Sequence, residues 1–241
     1  MNDRKKIVLI QGCGHELTSA VASALLRAGA VVALDEPGNP AQCAALAVEL
    51  ADRGEVLDLT ALLPTRDDAL APLKLLHERF GSVDAVIGLY MPDASSTGAA
   101  FNNYARELET SLFAIGEFMA RIGSKGVILN QFVLSTLFAD HALAPSASAA
   151  RGALAALTRV AAVRFGKAGV RVLGLLVGLL DLPALKAIVS ERVRQANTPL
   201  GRWISAADVA ETIAFFTLES GYVTGQMLVL DGGMTSGVNG L

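Results

Sequence analysis

The chain has 241 residues, room for one large α/β domain or two small ones, and 52% of them are apolar, enough to fill a sizeable core. Its net charge is −3 and no basic run exceeds Arg4-Lys5-Lys6, which leaves an electrostatic partnership with nucleic acid or an anionic membrane nothing to rest on. Cys13 and Cys43 lack metal-ligand spacing, the charges at Asp3 to Lys6 precede only four apolar residues, and the longest apolar run, Val172 to Leu180, is far below the roughly 20 residues of a membrane helix. The expectation is a soluble cytoplasmic protein with reduced thiols and no export signal.

Ile7 to Ile10 predicts a short buried strand, followed by the glycine-containing turn QGCGHELT and a small-residue helix to about Arg27. Ala30 to Leu34 is a second strand that ends at Asp35-Glu36 and is stopped by PGNP. A helix over Ala41 to Arg53 and a strand over Glu55 to Leu59 follow. Asp67 to Phe80 is helical, Val83 to Leu89 a strand, Phe101 to Ile122 a long helix and Val127 to Val133 a strand. The next stretch, PSASAARGALAALTR from Pro145 to Arg159, is rich in alanine and nearly free of β-branched residues. It predicts a helix narrow enough for another helix to lie close against it. A strand over Val170 to Val177, helices within Leu182 to Gln195 and Ala206 to Leu218, and a last strand over Gln226 to Leu230 complete the chain. Seven strands alternating with helices, with no linker or repeat, predict one domain over residues 1–241. Its architecture is a doubly wound seven-stranded parallel sheet with helices on both faces.

Three fragments carry a family resemblance: FGSVD at Phe80 to Asp84, GVRV at Gly169 to Val172, and TPLGRWISAADVAETIAFF continuing through YVTGQMLVLDGG near the end. Together with the order of elements they resemble the short-chain dehydrogenase/reductase family, whose members hold a nicotinamide dinucleotide on a Rossmann sheet. The resemblance spans nearly the whole chain. Its most specific part is the C-terminal block, a scaffold and subunit-contact signature in the family, so it implies fold and assembly before chemistry.

The family's chemistry sits at fixed places, and most of them are changed here. Its phosphate-binding turn, T-G-x-x-x-G-x-G, lets backbone N–H groups approach a pyrophosphate at a helix N-terminus. In this chain the turn reads Gln11-Gly12-Cys13-Gly14-His15-Glu16-Leu17-Thr18, so Gly12 matches while Glu16 and Thr18 replace the second and third glycines. A carboxylate about 4 Å from a phosphate charge costs roughly 4 kcal/mol at an effective dielectric near 20, about a thousandfold in affinity. Glu16 also suits a first helical turn, where the dipole favours an acid. The expectation is that this chain binds no cofactor. Asp35 falls where the resemblance places the carboxylate that holds the adenosine ribose, and Asp58 where an aspartate flanks the adenine, although an acid ending a strand is ordinary. The family's N-N-A-G after the fourth strand reads Gly88-Leu89-Tyr90-Met91.

Family members use a tyrosine as general acid/base, a lysine four residues later that depresses the tyrosine pKa and holds the nicotinamide ribose, and a serine from the preceding strand end. The resemblance puts Ala147 at the tyrosine and Arg151 at the lysine. Alanine moves no proton. The chain's tyrosines are Tyr90, Tyr104 and Tyr222, and four residues after them stand Ala94, Leu108 and Gln226, so no Y-x-x-x-K exists at any register. The serine's place falls near Phe132 or Val133, with Ser135 and Thr136 close by. The helix asparagine of the proton relay falls at about Leu108, and the proline-glycine after the sixth strand is Val177-Gly178.

Ser135, Asp140 and His141 lie within seven residues near the sheet's C-terminal edge and can be drawn as a nucleophile with its base. No nucleophile elbow or oxyanion hole accompanies them, and surface loops are ordinarily rich in such residues. His15 and His77 stand without a second candidate ligand and are better explained as loop or surface histidines. Arg151 is either a retained cation of a vacated pocket or a solvated helix-face arginine. No catalytic, cofactor-binding or metal-binding residue is therefore assigned. The residues of fold and assembly persist where those of chemistry have changed, and the resemblance implies a non-catalytic subunit. In the family, the helices corresponding to Phe101 to Ile122 and Ala147 to Phe165 pair across one two-fold and the last strand region across another, which permits a closed heterotetramer with an active paralogue. Within the family the chain resembles a silent subunit whose NAD-holding partner oxidises a hydroxyacyl-CoA. Two alternatives stay open: a stand-alone ligand-binding or regulatory protein that uses the vacated crevice, and an enzyme with rebuilt chemistry.

Overall fold

The structure, a computed structural model, describes residues 4–12, 16–36, 38–63, 68–89, 111–133, 145–181, 186 and 198–236. Among them, seven strands form one parallel sheet: β1 (Ile7–Gln11), β2 (Val31–Asp35), β3 (Val56–Asp58), β4 (Ala85–Leu89), β5 (Val127–Val133), β6 (Arg171–Val177) and β7 (Met227–Leu230). The helices are α1 (Glu16–Arg27), α2 (Pro40–Leu50), α3 (Leu59–Leu62), α4 (Ala71–Phe80), α5 (111–121), α6 (Pro145–Gly166) and α7 (Ala206–Ala214), the last continuing in a π-helical turn over Phe215–Glu219. The strand order is β3-β2-β1-β4-β5-β6-β7, the doubly wound arrangement expected from the alternation of elements.

Strand alternation divides the core in two. Val8, Ile10, Val32, Leu34, Ile87 and Leu129 pack on one face with α1, α2 and α7. Ile7, Leu9, Val31, Val86, Ile128 and Val172 pack on the other with α4, α5 and α6. α5 meets α6 where Gly116 lies under the Phe165 ring and a Cβ there would come within 2.2 Å of it, a contact C-terminal to the alanine-rich stretch Pro145 to Arg159.

Two boundaries differ from expectation for local polar reasons. The strand expected to reach Leu59 ends at Asp58, because that carboxylate accepts from the N–H groups of Thr60 (3.0 Å) and Ala61 (3.1 Å) and starts α3. The helix expected from Asp67 begins at Ala71: Asp68 turns the chain by accepting from the N–H of Leu70 at 2.8 Å, and Pro72 occupies the first helical turn. Residues 101–110 of the long helix, and the helix expected within Leu182 to Gln195 apart from the helical Lys186, lie outside the described residues.

The fragments that carry the family resemblance are joints of this frame. Asp84 of FGSVD accepts from the N–H of Ile7 (2.9 Å) and from both terminal guanidinium nitrogens of Arg4 (2.9 and 2.7 Å), which fixes the entry of β1. Arg171 of GVRV donates to the carbonyls of Phe216 (3.0 Å) and Val223 (3.3 Å), tying β6 to the segment after α7. A capping box opens α7: the Ser205 hydroxyl accepts from the Asp208 N–H (3.1 Å), and the Asp208 carboxylate accepts from the Ser205 N–H (2.8 Å) and from Arg202 through two bonds of 2.6 and 2.7 Å. Asp231 closes the turn after β7 by accepting from the N–H groups of Gly233 (2.8 Å) and Thr235 (2.6 Å).

Hydrogen bonding to Arg202 holds the Asp208 carboxyl well below the usual carboxylate range, against the opposing effect of burial, and Ser205 reinforces it. A depressed folded-state pKa stabilises the fold above the unfolded value near pH 4, and that contribution is lost as pH falls from there. Asp208→Asn is expected to lower the unfolding free energy by about 1 to 2 kcal/mol at pH 7, and urea titrations should show the gap to the parent chain narrowing below pH 4.

Backbone packing also makes a testable demand at Gly12. Its φ is +100°, and a Cβ there would lie 2.3 Å from the carbonyl oxygen of Leu89. Gly12→Ala is expected to cost roughly 2 to 4 kcal/mol in the same urea titration, whatever the chain binds.

Candidate functional site

The strand order reverses between β1 and β4, and in sheets of this kind ligands bind at the carboxyl ends beside that reversal. Gln11 pairs with Gly88, so the next row across the sheet runs Gly12, Leu89, Gln131, Leu175 and Leu228. This row forms the base of the candidate site.

Gly12 is held on every side. Its N–H donates to the carbonyl of Asp35 (3.2 Å), its Cα rests on Leu89, and its own carbonyl accepts from the Thr18 hydroxyl at 2.7 Å. Thr18 is wholly buried, so position 18 is filled interior, and its hydroxyl clasps the turn to α1. A dinucleotide's pyrophosphate needs bare backbone at the glycine positions of such a turn. The first of them is used here to pack against β4 and the third carries a buried side chain, so the described part of the turn does not match that cradle. Cys13, Gly14 and His15 lie outside the described residues, and α1 begins at Glu16.

The two acids have separate surroundings. Asp35 ends β2 and is buried, with 3% of its surface exposed, whereas Asp58 is spent on the N-terminus of α3. At the serine's place, Phe132 is packed with Leu176, Leu157, Met227 and Met234, and Val133 pairs with Val177 on β6. Ala147 and Arg151 both fall on α6, one turn apart, which puts them on one helix face. Gly178 follows β6 and donates its N–H to the carbonyl of Leu230 at 2.9 Å. Tyr222 is fully exposed. Tyr90, Met91, Tyr104, Leu108, Ser135, Thr136, Asp140 and His141 lie outside the described residues.

His77 corrects an expectation. It lies on α4, half-buried, with its ring edge against Phe118, centroids 6.3 Å apart, and its buried Nδ1 has no hydrogen-bond partner, so it is a helix histidine rather than a loop one. Among the described residues, no group of three His, Cys, Asp or Glu side chains is placed to hold a metal ion, and no helix is long and apolar enough to cross a membrane.

Two features of the site escaped the sequence. Nothing in the turn reveals that Thr18 bonds back to Gly12. The Gln131 amide is wholly buried with neither polar atom paired, and its one signal is an Asn-Gln pair inside the apolar run VILNQFV.

Residues 14–235 match the family model described as enoyl-(acyl carrier protein) reductase. The chain is 26% identical to cis-4-hydroxycyclohexanecarboxylate dehydrogenase of Sinomonas cyclohexanicum, over 96% of this chain and 97% of that one. It is also 26% identical to (2S)-[(R)-hydroxy(phenyl)methyl]succinyl-CoA dehydrogenase subunit BbsC of Thauera aromatica, over 98% of this chain and 96% of that one. A solved structure of 7α-hydroxysteroid dehydrogenase, complexed with NADH and 7-oxo glycochenodeoxycholic acid, matches with a TM-score of 0.80 at 22% identity, over 99% of this chain and 96% of that one. The sheet order, the structural joints at FGSVD, GVRV and the C-terminal block, and a family match across most of the sequence lead to one conclusion: the chain belongs to the short-chain dehydrogenase/reductase family, whose members typically bind NAD(H).

Proposed function

We propose that the chain is a non-catalytic subunit of a hetero-oligomeric NAD-dependent short-chain dehydrogenase, a pseudoenzyme that supports an active paralogue in the cytoplasm. The observation that carries this reading is that none of Tyr90, Tyr104 and Tyr222 is followed four residues later by a lysine. Without that pair the family's tyrosine–lysine proton transfer has no counterpart in this chain. The buried Thr18 and the packed Phe132 add to it, one at the cofactor turn and one at the serine's place. NAD is then held by the partner chain and not by this one. The likeness to a subunit named for a succinyl-CoA dehydrogenase favours a hydroxyacyl-CoA, such as 2-[hydroxy(phenyl)methyl]succinyl-CoA of toluene catabolism, as the partner's substrate.

The surface supports assembly. Ala153, Ala156, Val160 and Val163 follow one another at three-, four- and three-residue steps on the exposed side of α6, with Val160 54% and Val163 81% exposed. That spacing is a seam for a second helix. The edge strand β7 exposes Val229, a second face for pairing. Two such surfaces suit a heterotetramer. A second reading, a stand-alone ligand-binding or regulatory protein that uses the vacated crevice, is favoured by the buried unpaired amide of Gln131.

Tagged in its native host, the chain is expected to bring down an intact family member in equal amount, with activity only in the pair and one NAD per two chains. A chain that purifies alone and reduces NAD with a hydroxy substrate would overturn the proposal. Val163→Glu is expected to disrupt the assembly in size-exclusion chromatography with light scattering while shifting the chain's own stability by no more than about 0.5 kcal/mol.

A further inference from the structure

Gln131 has 0% of its surface exposed, and neither its Nε2 nor its Oε1 has a hydrogen-bond partner. His77 Nδ1 and the hydroxyls of Thr198 and Thr217 are also unpaired and buried, but each is a single atom without a partner. Gln131 leaves a donor group and an acceptor together. Buried polar groups of this kind are few in folded proteins because each gives up its water without replacement. An apolar side chain of similar size would avoid that loss, and the other positions of the same row, Leu89, Leu175 and Leu228 with Gly12, carry leucine or glycine. By strand alternation Gln131 shares a face with Val127 and Leu129, the face covered by α1 and α7. It stands at the carboxyl end of β5, one strand from the reversal between β1 and β4.

We infer that Gln131 is a recognition group for a primary carboxamide carried by a small molecule. A side-by-side donor and acceptor are answered together only by a group that offers the reverse pair: Nε2–H donates to the ligand's carbonyl oxygen while Oε1 accepts from the ligand's N–H. A carboxylate answers Nε2 and leaves Oε1 unpaired. Because Gln131 is sealed in the free chain, entry of the ligand goes with a local opening of the sheet's carboxyl edge. A carboxamide belongs either to a simple amide or to the nicotinamide end of a dinucleotide. The inference stands on Gln131 and holds whether or not the chain is catalytically silent.

Thermal unfolding of the parent chain, Gln131→Leu and Gln131→Met, each alone and with benzamide, benzoate, NAD, nicotinamide mononucleotide or AMP, tests it. Without ligand both variants are expected to melt a few degrees higher than the parent, because the unpaired amide is gone. Benzamide is expected to raise the melting temperature of the parent and of neither variant, and benzoate to raise none. If NAD and nicotinamide mononucleotide do so while benzamide and AMP do not, the carboxamide is the dinucleotide's; the recognition role of Gln131 then stands and the cofactor-free subunit falls, whereas a shift with AMP would overturn the inference. Variants that both melt at or below the parent, equal ligand shifts in parent and variants, or no shift with any amide would overturn the inference.

Discussion

The meeting of β1's exit with the carboxyl end of β4 leaves no room for a side chain at position 12, and much of the molecule is arranged by that contact. Gly12 rests on the Leu89 carbonyl in a left-handed conformation that favours glycine. The turn it makes sends the chain into α1, and α1 packs along α7, so the first and last thirds of the sequence are joined across one face of the sheet. Thr18 then fastens the start of α1 to the same turn. A glycine that looks like the remnant of a phosphate-binding motif is thus required by packing alone.

The same distinction applies along the chain. The fragments that look most like the family, at Asp84, Arg171, Arg202 to Asp208 and Asp231, are hydrogen-bonded joints between elements that lie far apart in sequence. Removing any of them would leave a buried or half-buried polar group without its partner, so folding alone is enough to hold them. A proton relay is under no such constraint. An alanine at position 147 costs the helix nothing, since alanine has the best helix propensity of all residues, and an aromatic ring at 132 fills a space between β5, β6, α6 and β7. A chain can therefore keep the fold and its outer surfaces while its chemistry is exchanged.

The fold was largely legible because it rests on periodicity. Short apolar runs such as IVLI, VVAL and VILNQFV alternate with helical stretches, and that alternation alone specifies a parallel sheet with crossovers of one hand. What escaped was local polar chemistry at the ends of elements. Asp58 caps a helix where a strand was expected to continue, and Asp68 delays α4, because an aspartate's choice between strand end and helix cap depends on which N–H groups the chain folds toward it. At the site, the absence of a tyrosine followed four residues later by lysine was plain from residue types, since no spacing rescues a pair that does not occur. The Thr18 clasp and the unpaired Gln131 amide were not, because both are properties of what surrounds a side chain and not of its spacing.

The proposed subunit keeps the dehydrogenase frame without holding the cofactor. The most direct test is calorimetric titration of the isolated, folded chain with NAD and with NADH. No measurable heat of binding is expected at millimolar cofactor, while an intact family member treated alike binds. Micromolar binding by the isolated chain would contradict the proposal and would require the turn after β1 to accept a pyrophosphate despite the filled position at Thr18.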